Sequence, residues 1–193
     1  MMPPRDPTAI GQPIFRGSAE YPERLNKCLG ADAPQSISVI GSLTPLLGPM
    51  TAFLCSKEAP GATILKSFDQ AAAWREAGRC VISGFHSPLE KECLAILLRG
   101  RQPIALCPAR SIGAIRLPPE QRRAVEDGRL TIISAFGDQD RRANADLGRR
   151  RNRFIAALAD EIVLGFVTPG GSLALLRDEI QGWGTTVHEL YSE

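Results

Sequence analysis

The chain holds only two histidines, His86 and His188, and its five cysteines form no Cys-x-x-Cys pair. A zinc site would need ligands gathered from remote segments, so a compact zinc module is excluded and no metal site is expected. The count of cysteines (Cys28, Cys55, Cys80, Cys93 and Cys107) is odd, which excludes a complete disulfide framework. They read as buried structural thiols. No apolar run approaches the ~20 residues needed to cross a bilayer, so no membrane partner is expected. The opening MMPPRDPTAIGQP lacks the apolar centre of a secretory signal and points to the cytoplasm. Excess charge is also missing. The formal net charge is +2, so any nucleic-acid reading must rest on clustered charge.

What is present is an ordinary globular composition, 44% hydrophobic and 23% charged over 193 residues, which excludes disorder over most of the chain. The length fits one large domain. Residues 1–36 read as an irregular N-terminal arm over 1–20 followed by a short helix within Tyr21–Leu29. Residues 37–193 read as the core. Short apolar runs lie at Ile37–Ile40, Thr51–Cys55, Cys80–Ser83, Pro103–Cys107, Leu130–Ser134, Glu161–Val167 and Thr185–Leu190. They are rich in β-branched residues and end in small or breaking residues, as buried strands do. Amphipathic stretches separate them. The alternation predicts an α/β fold, a mostly parallel Rossmann-like sheet with helices on both faces. In such folds ligands sit beyond the carboxyl ends of the strands, which directs attention to five loops.

The first loop places Lys57 after a strand and Gly61 before a helix, a turn that suits an anion and equally a plain connection. In the second, Ser87-Pro88-Leu89-Glu90 is a capping box with proline at the first helical position. It accounts for Glu90 structurally and leaves His86 at the rim of a cleft. Phe85 has two readings, stacking on a base or packing inward. The third loop brings Arg110 toward the same rim. The fourth is the most charged: residues 137–153 hold six arginines, among them Arg149, Arg150, Arg151 and Arg153, against three aspartates. A helix beginning near Arg150 would set positive charge against its own dipole, which an anion bound there would relieve. Solvation, or pairing with acids elsewhere, is the bland alternative. The fifth loop ends in Gly170, Gly171 and Ser172. The glycines allow close backbone approach and Ser172 is a candidate helix cap.

Together these loops resemble the core of the DprA/Smf family of DNA-processing proteins from about Tyr21 to Leu190. The resemblance is carried by Tyr21-Pro22-x-x-Leu25, Ala33-Pro34, Ile40-Gly41, Ser56-Lys57, Ser83-Gly84, Arg151-Asn152-Arg153-Phe154-Ile155 and Gly171-Ser172-Leu173. It implies single-stranded DNA binding in a basic cleft, a homodimer, and handover of the DNA to RecA. It assigns ligand contact to Ser56, Lys57, Ser83, Gly84, Arg151, Asn152, Arg153, Gly171 and Ser172. Three departures stand out. Lys57 replaces an arginine of the family pattern and loses its bidentate fork. Phe85-His86-Ser87-Pro88 replaces the segment that usually follows Ser-Gly. The winged-helix module often found after this core is not expected beyond Leu190.

Pro169-Gly170-Gly171 is also similar to a turn of the LOG-type nucleotide phosphoribohydrolases. This keeps a nucleotide sensor or nucleotide-processing enzyme as an alternative. The glutamates that should follow that turn are absent from Ser172-Leu173-Ala174-Leu175-Leu176-Arg177. No nucleophile–base pair with supporting spacing appears elsewhere. The expectation is therefore a binding protein without catalytic residues or cofactor.

Overall fold

The structure, a computed structural model, describes residues 11–113 and 115–191. In chain order the elements are β1 (Gln12–Phe15), α1 (Glu23–Leu29), β2 (Ser36–Ile40), α2 (Thr44–Leu47), β3 (Thr51–Leu54), α3 (Gly61–Glu76), β4 (Val81–Ser83) and α4 (Pro88–Leu98). There follow β5 (Ile104–Leu106), α5 (Pro119–Glu126), β6 (Leu130–Ser134), α6 (Ala145–Leu158), β7 (Glu161–Leu164), α7 (Ser172–Ile180) and β8 (Thr186–Glu189). All eight strands form one sheet in the order β1-β2-β6-β5-β4-β3-β7-β8. The six strands from β6 to β8 run parallel, while β1 and β2 add antiparallel. The expected mostly parallel α/β sheet is what forms.

Each of the seven apolar runs contains a strand. Those at the centre are buried on both faces, as parallel strands under two helix layers must be. Alternate residues separate the two layers. Ala52, Leu54, Ile82, Ala105 and Ile162 join Leu25, Phe154–Leu158 and Leu176 in one core. Phe53, Val81, Ile104, Ile132 and Val163 join Trp74, Leu89, Leu97 and Val125 in the other. Phe53 meets Trp74 edge-on, ring centres 5.6 Å apart.

Three expectations are corrected. Residues 12–15, read as part of an irregular arm, form edge strand β1, paired with β2 from Gln12↔Val39 to Phe15↔Ser36. Pro13 obscures this in the sequence but is tolerated on an edge. Residues 1–10 of the same arm lie outside the described residues. Helix α6 starts at Ala145, not near Arg150, because the Asn144 side chain accepts from the Leu147 N–H at 2.9 Å. The arginines therefore sit in mid-helix, and the argument from an opposed dipole does not apply to them. Ser172 is the first residue of α7 rather than its cap, and its side chain makes no capping bond.

The capping box of α4 forms in full. The Ser87 hydroxyl accepts from the Glu90 N–H at 3.2 Å, and the Glu90 carboxylate accepts from the Ser87 N–H at 3.1 Å. Ser87→Ala is expected to cost about 1 kcal/mol, a fall of roughly 2–4 °C in the melting temperature of a chain this size, read by calorimetry.

Candidate nucleic-acid interface

The chain leaves β3 through α3 on one face and returns from β6 through α6 on the other, to lay β7 beside β3. That reversal opens a crevice at the carboxyl ends of β3 and β7. Its two walls are tied together. The Ser56 N–H donates to the Phe166 carbonyl at 2.9 Å, and the Ser56 hydroxyl accepts from the Thr168 N–H at 3.0 Å. At the mouth, Gly170 takes a φ of 69°, and a side chain at Gly171 would press on the Thr168 carbonyl at 3.0 Å.

The crevice opens into two lobes. One, about 560 Å³, is lined by Ser56, Lys57, His86, Lys91, Arg149, Asn152, Gly171 and Ser172 among others. The second, about 550 Å³, is lined by Gly84, Pro108, Ala109, Arg110, Ala143 and Asn144. Four residues border both: His86, Ala145, Gly148 and Arg151.

Arg151 forms the floor. It is only 6% exposed. Its Nε donates to the Asn152 side chain at 2.8 Å, and Nη1 reaches the Cys107 carbonyl at 3.4 Å. Among the described residues no carboxylate lies within ion-pair distance of it, and Nη2 has no protein partner. Burial pulls its pKa below the ordinary guanidinium value, opposed chiefly by the field of Glu90. The group stays charged, because guanidinium is not deprotonated in proteins. Gly84 makes room for it, since a Cβ there would fall 1.5 Å from Nη1. This is the physical reason for glycine at that position.

Glu90 is the one carboxylate among the described residues that line the two lobes. It is 3% exposed and fully engaged. Oε1 accepts from the Cys55 N–H at 3.0 Å, and Oε2 from the N–H groups of His86 at 2.8 Å and Ser87. It clamps the loop after β3 to the loop after β4. Both oxygens are turned to the backbone, so it is a scaffold rather than a general base.

Most of the expected residues meet here: Ser56, Lys57, Gly84, His86, Arg110, Arg149, Arg151, Asn152, Gly171 and Ser172. Ser83 lies underneath, fully buried, its hydroxyl accepting from the Phe85 N–H at 3.1 Å. Two arginines are elsewhere. Arg150 stacks over Phe136 at 5.4 Å, and Arg153 bridges Asp32 at 2.8 Å and Glu179 at 2.6 Å, in a separate hollow near α1. Pairing with acids describes Arg153, and Arg150 is exposed with no carboxylate partner among the described residues. Phe85 points inward, 5% exposed in the second core with a φ of 44°, so its ring is not offered to a base. Sequence reading passed over Lys91, Asn144 and Gly148. The Asn144-x-x-Leu147 capping pattern was the available signal, and placing it would have fixed the face that α6 turns to the cleft.

Among the described residues no group of three or more His, Cys, Asp or Glu side chains is placed to hold a metal ion. Burial pushes the thiols of Cys55, Cys80, Cys93 and Cys107 up to about 12. They stay protonated and inert at neutral pH. A thiol reagent such as Ellman's is expected to titrate only the half-buried Cys28 in the native protein, and all five after unfolding.

No helix among the described residues is long and apolar enough to cross a membrane. No functionally curated protein matches the chain. Solved structures share its fold, two of them DNA processing proteins. DNA processing protein A (DprA) from Streptococcus pneumoniae superposes with a TM-score of 0.77 at 15% identity, over 93% of this chain and 62% of that one. DNA processing protein A from Helicobacter pylori, whose structure was described for its single-stranded DNA binding mode, superposes with a TM-score of 0.73 at 14% identity, over 95% and 82%. The chain thus spans under two thirds of the length of the streptococcal protein. The sequence profile described as DNA recombination-mediator protein A matches residues 12–175. That match covers most of the chain and agrees with the motifs between Tyr21 and Leu190, and the chain belongs to the DNA recombination-mediator protein A family.

Proposed function

We propose that the two-lobed cleft binds single-stranded DNA by its phosphates and performs no covalent chemistry. The observation that carries this reading is Arg151, a buried guanidinium with no carboxylate partner among the described residues, at the floor where both lobes meet. A buried charge needs a counter-charge, and an oxyanion entering the cleft supplies one. Lys57, Lys91 and Arg110 stand around the rim and extend the positive field, beside Arg149, which is paired with Asp146 at 3.1 Å. The single-stranded DNA binding of the Helicobacter protein, which has the same fold, supports the choice of polyanion. The hydrolase alternative finds no support in the cleft, because Glu90 is consumed by three backbone N–H groups. We further propose that a cytoplasmic homodimer delivers the strand to a recombinase, RecA, a reading in keeping with the family's description as a recombination mediator.

The test is fluorescence anisotropy of a labelled dT oligonucleotide at two salt concentrations, with AMP and ATP as competitors. Binding that weakens steeply with salt and resists both nucleotides is expected. Absence of DNA binding, with saturable binding of a mononucleotide, overturns the reading.

A further inference from the structure

Resting on that reading, we propose that the cleft recognises an internal phosphodiester, with one nucleotide in each lobe, and that Gly148 is the residue that lets the strand pass between them. Glycine in the interior of a helix is unfavourable relative to alanine. Neither usual reason for keeping one applies at position 148. Its backbone is helical, and a Cβ built there meets nothing within 4 Å. It borders both lobes, as does Ala145 one turn before it. These two small residues form the saddle that joins the lobes across the first turns of α6.

The second observation is Arg151, one turn further along α6. It is more than nine-tenths buried, borders both lobes, and has two Nη2 protons with no protein partner among the described residues. An anion held there sits at the junction rather than at the end of either lobe. Each lobe, at about 560 or 550 Å³, is already the size of an ordinary small-ligand site. Each also has its own cations, Lys57 and Lys91 on one side and Arg110 on the other. A single nucleotide fills one lobe and leaves the other empty. A phosphate with a nucleotide on both sides fills both. Discrimination between a strand and a mononucleotide then comes from the saddle, which reads continuity of the chain and not the bases.

The test compares (dT)12 with dTMP by anisotropy and competition, in wild type, Gly148→Leu and Ala145→Leu. In wild type (dT)12 is expected to bind at least a hundredfold more tightly than dTMP. Gly148→Leu puts four carbons into the saddle and is expected to reduce that ratio at least tenfold. Ala145→Leu lies on an exposed helical position that accepts leucine without loss of fold, and is expected to reduce it likewise. Gly148→Ala is expected to raise the melting temperature and to reduce the ratio by less than leucine does. An unchanged ratio in folded Gly148→Leu or Ala145→Leu overturns the saddle and leaves the DNA-binding reading standing. Failure of wild type to bind (dT)12 at all overturns the reading on which it rests.

Discussion

Glu90→Ala is expected to destabilise the protein by about 3–5 kcal/mol, a fall of roughly 6–20 °C in melting temperature, the largest single loss of stability we assign to any residue of the cleft. The carboxylate is 3% exposed and accepts from three backbone N–H groups on two different loops. Removing it leaves the Cys55 and Ser87 donors buried without an acceptor, at ~1–3 kcal/mol each. The His86 N–H is nearer the surface and rehydrates. The loss also withdraws the negative field that offsets the buried Arg151. Glu90→Gln separates these effects. An amide keeps one carbonyl oxygen but turns an NH2 group toward a backbone donor, so it rescues one of the two loops and not the other. Its loss is expected to be about half that of alanine. Thermal melts of the two variants, with Ser87→Ala as the reference for loss of the cap alone, decide the matter. A Glu90→Ala variant that melts no lower than Ser87→Ala would mean that Glu90 is only a capping residue.

Glu90 also marks where the sequence stops being informative. Ser-Pro-Leu-Glu announces the capping box, and the box is there. The third bond, from Cys55, spans 35 positions and joins two strand ends that only the sheet order brings together. The same division runs through the rest of the chain. Buried parallel strands are legible because both faces demand apolar residues, and all seven expected runs carry strands. The five loops at the carboxyl ends follow from the topology rule, and most of the expected ligand residues do line the crevice. Strand β1 was not legible, since one inward residue, Ile14, between a proline and an exposed Phe15 makes no period. The arginine cluster reads as one patch only from a helix start at Arg150, five residues after the true start at Ala145. With Asn144 as cap, ~100° per residue puts Arg151 within ~60° of Gly148, on the face turned to the cleft. It puts Arg153 ~140° and Arg150 ~160° away, toward Asp32 and Phe136. Four arginines in a row of five are therefore not one patch, and only the register of the helix says which of them can meet a ligand.

That division leads to the second large effect. Arg151→Ala is expected to weaken binding of a dT oligonucleotide by about 10- to 150-fold, the ~1.5–3 kcal/mol of a hydrogen-bonded charge. The slope of log K against log salt should shrink by ~0.7 if one phosphate contact on a single strand is lost. Arg151→Lys keeps the charge but replaces a planar fork that spans from Asn152 and Cys107 to the cleft by a single point donor, and it is expected to recover only part of the affinity. Gly84→Ala reaches the same group by another route, because its methyl would occupy the space of Nη1. Arg153→Ala is the control. It removes the same charge from the same helix, but its side chain is already committed to Asp32 and Glu179 outside the cleft. Its affinity should stay within about threefold of wild type, since a charge that far from the strand is largely screened at physiological salt. Equal losses in the two variants would mean that binding responds only to net charge, and that the buried guanidinium has no special place in it. A loss confined to Arg151 ties affinity to the one arginine that the fold buries without a carboxylate partner among the described residues, at the point where the two lobes meet.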